Sequence, residues 1–165
     1  MMEWLSAVFT GNTLAIIGIF LAVGLCGIGS SKGVGIVGEA GAGLMTEDPG
    51  KFPQILVLQI IPSTNGIYGF VAGMLAMVKI NVFGGFPPLE IEQGALVLAA
   101  CLPIAFVGWL AAIAQARIVA GMVSVIAKRP EEMAKGIIVA VMVEFFPIIA
   151  LLVSVMMIVN LPIAV

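Results

Sequence analysis

Four apolar stretches, each long enough to cross a bilayer, leave this chain little choice of fold. They run from about residues 12 to 46, 52 to 80, 94 to 127 and 133 to 160. A hydrocarbon core about 30 Å thick is crossed by about 20 helical residues at about 1.5 Å each. Inside it every backbone N–H and C=O must be satisfied by the protein itself, which leaves only helices and closed barrels. Apolar runs of this length specify helices. A charged fraction of 10% agrees, against about 25% in soluble domains. The expectation is an all-α membrane protein with four transmembrane helices, residues 1–165 forming a single membrane domain.

The polar segments between the runs are short. Glu47-Asp48-Pro49-Gly50-Lys51 and Lys128-Arg129-Pro130-Glu131-Glu132 are tight turns. The middle loop, residues 81–93, carries Gly84-Gly85 and Pro87-Pro88. Lys51, Lys128, Arg129 and Lys135 concentrate positive charge at the first and third turns, whereas the middle loop has only Lys79 at its edge. The positive-inside rule then makes residues 46–51 and 128–135 cytoplasmic and puts both termini on the other side. Residues 1–11 form a short amphipathic lead-in with Trp4 as an interface anchor. It lacks the positive n-region of a cleaved leader, so the whole chain is expected to be mature.

Residues 12–80 and 94–160 read as two helical hairpins of one parallel repeat. Pro49 corresponds to Pro130, and Ser63 falls opposite Glu144. Ser30-Ser31-Lys32 aligns with Gln115-Ala116-Arg117 if the offset changes by about one helical turn between these anchors. The first span is crowded with glycine, including the Gly29–Gly33 pair, and the third with alanine. In lipid, small residues allow helix backbones to approach closely. The GxGxxG-like spellings around Gly27 and Gly33 follow no strand, so a nucleotide fingerprint is not indicated.

One residue breaks the pattern. Glu144 stands alone in the middle of the apolar run 137–150. An ionised carboxylate there costs about 3 kcal/mol or more. It must be neutralised by a proton or compensated by a cation with oxygen ligands. Either makes it an ion-carrying carboxylate. The bland alternative is an acid satisfied by a polar neighbour for packing alone.

Depth counted from the turns brings other polar groups to the same level. Glu144 lies about 21 Å along a helix from Pro130, Gln115 about as far before it, and Thr64 and Asn65 about as far past Lys51. Ile61, Thr64, Asn65 and Tyr68 fall at i, i+3, i+4 and i+7, on one helical face. Pro62 frees the Leu58 carbonyl and Pro147 the Val143 carbonyl. An alkali cation is hard and wants oxygen ligands, and Thr64, Asn65, Gln115, Glu144 and a backbone carbonyl offer them. Singly, these side chains would be polar glue between helices, worth about 0.6 kcal/mol per contact. Tyr68 can fix the carboxylate in one rotamer. Lys32 and Glu39 are expected in structural or lipid contacts.

Other chemistry is excluded. There is no histidine, so neither His catalysis nor His metal ligation arises. Cys26 and Cys101 sit in apolar runs and read as buried thiols. No basic run suggests nucleic acid, and neither a nucleophile set nor a phosphate loop is present.

The motifs Gly27-Ile28-Gly29-Ser30-Ser31-Lys32, Ile61-Pro62-Ser63-Thr64-Asn65-Gly66-Ile67-Tyr68, Leu102-Pro103-Ile104-Ala105-Phe106 and Lys128-Arg129-Pro130-Glu131 occur in this order. Together they closely resemble the rotor-ring proteolipid, subunit K, of V-type ATPases, especially the bacterial sodium-pumping kind, over nearly the whole chain. The resemblance implies a homo-oligomeric rotor ring turning against a stator membrane subunit with a basic residue, attached to central-stalk subunits that couple it to ATP hydrolysis elsewhere. It implies that the first and third spans face the ring's interior. It also implies a sodium site of Glu144, Gln115, Thr64 and the Ile61 carbonyl, oriented by Tyr68. Asn65 stands where that pattern has glutamine, and its oxygen would need a helix shift or a water to reach the ion. Competing expectations are a proton-carrying ring, a self-contained four-helix carrier or channel, and a purely structural proteolipid.

Overall fold

A computed structural model describes residues 9–163, so Trp4 lies outside the described residues. The described chain is helical throughout its spans, and four helical segments are long and apolar enough to cross a membrane. Helix α1 is Gly11–Glu47; α2, Phe52–Ile60; α3, Thr64–Lys79; α4, Ile91–Lys128; and α5, Met133–Val159. Helices α2 and α3 make up the second span and are joined by a 3₁₀ turn, Ile61–Ser63.

Each boundary has a local cause. Thr10 caps α1, its hydroxyl accepting the Thr13 N–H at 3.2 Å. Pro49 and Pro130 open the 3₁₀ turns Pro49–Lys51 and Pro130–Glu132, where a missing N–H costs nothing. Asp48 accepts the Gly50 N–H at 3.0 Å and closes the first turn. Helix α4 starts three residues before the expected Gly94. The cause is Gln93, whose side-chain oxygen accepts the Glu90 N–H at 3.1 Å, as a capping box does.

The small residues act as the pattern requires. Gly18 lies against the backbone at Leu98, Gly29 against that of Trp109, and Gly94 against Gly11. A Cβ at any of them would overlap main chain of the other long helix, so α1 and α4 pack backbone to backbone. Helices α2, α3 and α5 lie around this pair and leave broad apolar surfaces open, among them Phe70, Phe145, Phe146, Leu152 and Met156.

Two buried clusters fill the interior. One gathers Ala15, Ala22, Cys26, Ala76, Ile104 and Ile158; the other gathers Val37, Leu44, Ile55, Leu58, Val119 and Ile126. Of the buried polar residues, Ser30, Asn65 and Gln115 fall between them in chain position. Cys26 and Cys101 are free and buried, as expected.

Candidate functional site

Between the two clusters, α5 brings Glu144 against α3 and α4. Thr64 Oγ1 is 2.8 Å from Glu144 Oε1. On the other side Gln115 Nε2 donates to Glu144 Oε2 at 2.6 Å and also reaches the Ala140 carbonyl at 3.2 Å. The side-chain oxygen of Gln115 accepts from Asn65 Nδ2 at 3.2 Å. Thr64 Oγ1 is also 3.0 Å from the Ile61 carbonyl. Residues chosen by depth alone therefore form one connected network across three helices.

The 3₁₀ turn serves this network. It directs the Thr64 N–H to the Ile61 carbonyl, and the Thr64 side chain reaches the same oxygen. Ile61, Thr64, Asn65 and Tyr68 share a helical face. Asn65 is wholly buried on it, and the others are partly covered. The Tyr68 hydroxyl faces Glu144 and Thr64. The two short hydrogen bonds on the carboxylate nonetheless come from Thr64 and Gln115, which divide its orientation between them.

Chemically, this is a set of hard oxygen donors around a single carboxyl group. Among the described residues no three of His, Cys, Asp and Glu gather in one place, so a soft or multivalent metal centre has no ligand set. A monovalent cation needs only one carboxylate. Asn65 adds a buried side-chain oxygen that meets no hydrogen-bond donor among the described residues. A cation or a water would satisfy it. Asn65 thus meets the layer through its nitrogen, while its oxygen is left over.

The expected lipid-contact residues Lys32 and Glu39 are on α1 and take no part in this network; Lys32 is exposed there. Sequence reasoning missed Ser30. Its hydroxyl donates to the Pro62 carbonyl at 2.9 Å and accepts the Gly66 N–H at 2.8 Å, next to Thr64 and Asn65. The signal available was a serine on the buried side of a glycine-rich span, facing the Pro62 break.

The first hairpin holds a counterpart of the Gln115 contact. Gln59 Nε2 on α2 donates to the Val34 carbonyl on α1 at 3.3 Å. Gln115 on α4 makes the same type of contact to Ala140 on α5 with donor and acceptor helices exchanged.

Comparison with known proteins explains the pairing. The family model of the ATP synthase C subunit matches residues 17–76 and 98–157, two segments with the same offset of 81 at both ends. That offset pairs Val34 with Gln115, Gln59 with Ala140 and Ser63 with Glu144. Gln115 is thus opposite Val34, not Ser30 as the shifted alignment expected, and Ser30 is opposite Ala111. The chain is 40% identical over 160 residues to the V-type sodium ATPase subunit K of Enterococcus hirae, covering 97% of this chain and 99% of that one. It is 28% identical to the A-type ATP synthase subunit K of Methanocaldococcus jannaschii, over 87% of this chain and 94% of that one. A 59-residue match is 32% identical to the V-type proton ATPase proteolipid subunit of Dictyostelium discoideum, covering 36% of this chain and 30% of that one. Two matched repeats on four membrane-length helices, with 40% identity to a subunit K over nearly the whole chain, mean that this chain belongs to the ATP synthase C subunit family, as a two-hairpin proteolipid of the V-type ATPases.

Proposed function

We propose that this chain is the rotor-ring subunit of a V-type ATPase and carries sodium ions on Glu144. The observation that supports this best is the closed network at mid-span. A lone carboxylate is met on both oxygens by side chains from two other helices, with a spare amide oxygen beside it. In this reading Glu144 supplies the charge. Thr64, Gln115, Asn65 and the Ile61 carbonyl supply neutral oxygens, and Tyr68 stands by as an orienting hydroxyl. Gln115 would turn its oxygen to the ion and release Asn65.

Loading and release follow from electrostatics. A neutral ion–carboxylate pair crosses the lipid-facing part of the rotor's path cheaply, whereas a bare carboxylate does not. A stator cation opposite Glu144 would displace the ion at one interface, because the low local dielectric makes that competition strong. The subunit itself performs no hydrolysis in this scheme. ATP is consumed on partner subunits, reached through central-stalk subunits at the cytoplasmic turns, residues 46–51 and 128–135.

The proton-carrying alternative also has support. If Glu144 is protonated on Oε1, it donates to Thr64, and Thr64 donates to the Ile61 carbonyl. Gln115 still serves Oε2. Every hydrogen on this path has an acceptor, so the same geometry fits a proton-loaded carboxyl. Sodium and proton are therefore competitors for one place.

Carbodiimide labelling of Glu144 in the purified ring separates the readings, because the reagent attacks the protonated carboxyl. Labelling should slow as sodium rises at fixed pH. Protection should weaken as pH falls, since more protons then compete. Labelling indifferent to sodium throughout the millimolar range would overturn sodium carriage and leave the proton reading.

A further inference from the structure

The hydroxyl of Ser30 stands inside the backbone ladder of another helix. In an uninterrupted α-helix the Gly66 N–H would bond the Pro62 carbonyl, four residues back. Here the α-helix stops at Ile60 and resumes at Thr64. Ser30 Oγ, from α1, fills the opened rung, giving its proton to Pro62 O at 2.9 Å and accepting from Gly66 N at 2.8 Å. It also lies 3.4 Å from the Ser63 carbonyl. A side chain inserted into the i→i−4 ladder is a recognised cause of a local helix break. Ser30 is 7% exposed, so water does not readily replace it. Gly66 is what lets it in, since a Cβ there would come within 3.2 Å of Ser30 Oγ and 3.3 Å of its Cβ.

The rung that Ser30 opens encloses the site. Between Pro62 and Gly66 lie Ser63, Thr64 and Asn65. Just before them is Ile61, whose carbonyl takes the Thr64 N–H and hydroxyl in the 3₁₀ form. Were the rung to close into regular α-helix, the Ile61 carbonyl would turn to the Asn65 N–H instead. The Thr64 hydroxyl would then lose its present place between Ile61 O and Glu144.

The second hairpin opens the same rung by other means. At the offset of 81, Pro62 and Gly66 correspond to Val143 and Pro147. Pro147 has no N–H, so the Val143 carbonyl beside Glu144 has no ladder partner. In the first hairpin the donor exists but is diverted to Ser30. The two helices that face each other across the site are thus both opened at the level of Glu144. One opening lies in the residue's own chemistry and the other depends on a hydroxyl from α1.

We infer that Ser30 is a positioning residue for ion binding: its hydroxyl holds the Pro62–Gly66 rung open so that the Ile61 carbonyl and Thr64 hydroxyl face Glu144. The inference rests on the ion-carrying role proposed above. It predicts a selective effect. Sodium binding, which needs the neutral oxygens, depends on Ser30. Protonation of Glu144 draws on only one of these oxygens, the Thr64 hydroxyl, and depends on Ser30 less.

The test uses the assembled ring and carbodiimide labelling of Glu144, titrated with sodium and, separately, with pH in the absence of sodium. Ser30→Ala should raise the sodium concentration for half-protection about ten-fold, as for the loss of a single hydrogen-bonded group. Its sodium-free pH profile should move by much less than the sodium dependence. Ser30→Thr, which keeps the hydroxyl, should recover most of the protection. If Ser30→Ala does not assemble, Ser30→Cys keeps the volume and a weak donor and should show the same selective loss in milder form. Sodium dependence unchanged in whichever variant assembles would overturn the positioning role while leaving sodium carriage intact. So would failure of all three variants to assemble, which would make Ser30 a packing residue. Wild-type labelling that ignores sodium is a different outcome, and it removes the ion reading on which the inference stands.

Discussion

Thr64 and Glu144, eighty positions apart in the chain and on different hairpins, meet at 2.8 Å between side-chain oxygens. Two oxygens at that distance share a hydrogen. If Glu144 is ionised, Thr64 must be the donor, and its hold on the Ile61 carbonyl loosens. If Glu144 is protonated, Thr64 is free to give its own proton to Ile61. A change of one proton on the carboxyl therefore reorients the Thr64 hydroxyl and sets whether the Ile61 carbonyl receives its hydrogen.

Glu144→Gln should abolish coupled ion transport and leave ring assembly intact. The amide keeps the shape and can still meet Thr64 and Gln115, but it carries no charge to neutralise a cation. Transport by the reconstituted complex, beside the detergent-resistant size of the ring, checks both halves. Wild-type transport rates in the variant would remove Glu144 from the pathway.

Gln115→Leu removes the group that reaches Glu144, Ala140 and Asn65 at once. Losing a buried polar partner costs about 1–3 kcal/mol, so sodium affinity should fall about five- to hundred-fold. Asn65 Nδ2 would lose its acceptor as well, which adds a loss of thermal stability. Sodium titration of Glu144 labelling and a melting curve read the two effects separately.

Asn65→Gln tests whether the unpartnered Asn65 oxygen matters. If that oxygen falls short of the ion, one more methylene brings it into range and sodium protection strengthens. Weaker protection would mean that Asn65 already coordinates and that the longer chain crowds a closed site. The sodium concentration for half-protection decides.

Gly29→Ala should destabilise the fold, because the new Cβ would overlap the Trp109 backbone. Overpacking of this kind costs about 1–3 kcal/mol. Gly35→Ala meets nothing within 4 Å among the described residues and serves as the comparison. Thermal melting in detergent should rank Gly29→Ala well below Gly35→Ala, and equal melting would argue against backbone-to-backbone packing of α1 on α4.

The four spans could be read from the sequence because hydrocarbon forbids most alternatives, and the turns because Pro49 and Pro130 mark them. The polar layer could be read for a similar reason. Thr64, Asn65, Gln115 and Glu144 are conspicuous in apolar runs, and helix rise converts residue counts into depth. Hidden features depended on local backbone detail. The start of α4 was set by the Glu90–Gln93 cap, which looks like loop when charges are counted as polar. Ser30 was hidden because a serine among glycines resembles a packing residue, and nothing in its own helix announces that it enters another. The pairing of Gln115 with Val34 was obscured because apolar positions give the two hairpins few anchors.

The two openings beside Glu144 differ in when they come into being. Pro147 lacks its donor from the moment it is joined to the chain, so the break in α5 exists in the nascent helix. The Pro62–Gly66 break exists only after α1 has docked and Ser30 has entered. Before that, Pro62 has already freed the Leu58 carbonyl, but Gly66 can still donate to Pro62 and nothing holds the Thr64 half of the site open. A subunit still being inserted therefore holds its acid without its full set of oxygens, and the capacity to retain an ion is acquired last, with the closing of the bundle.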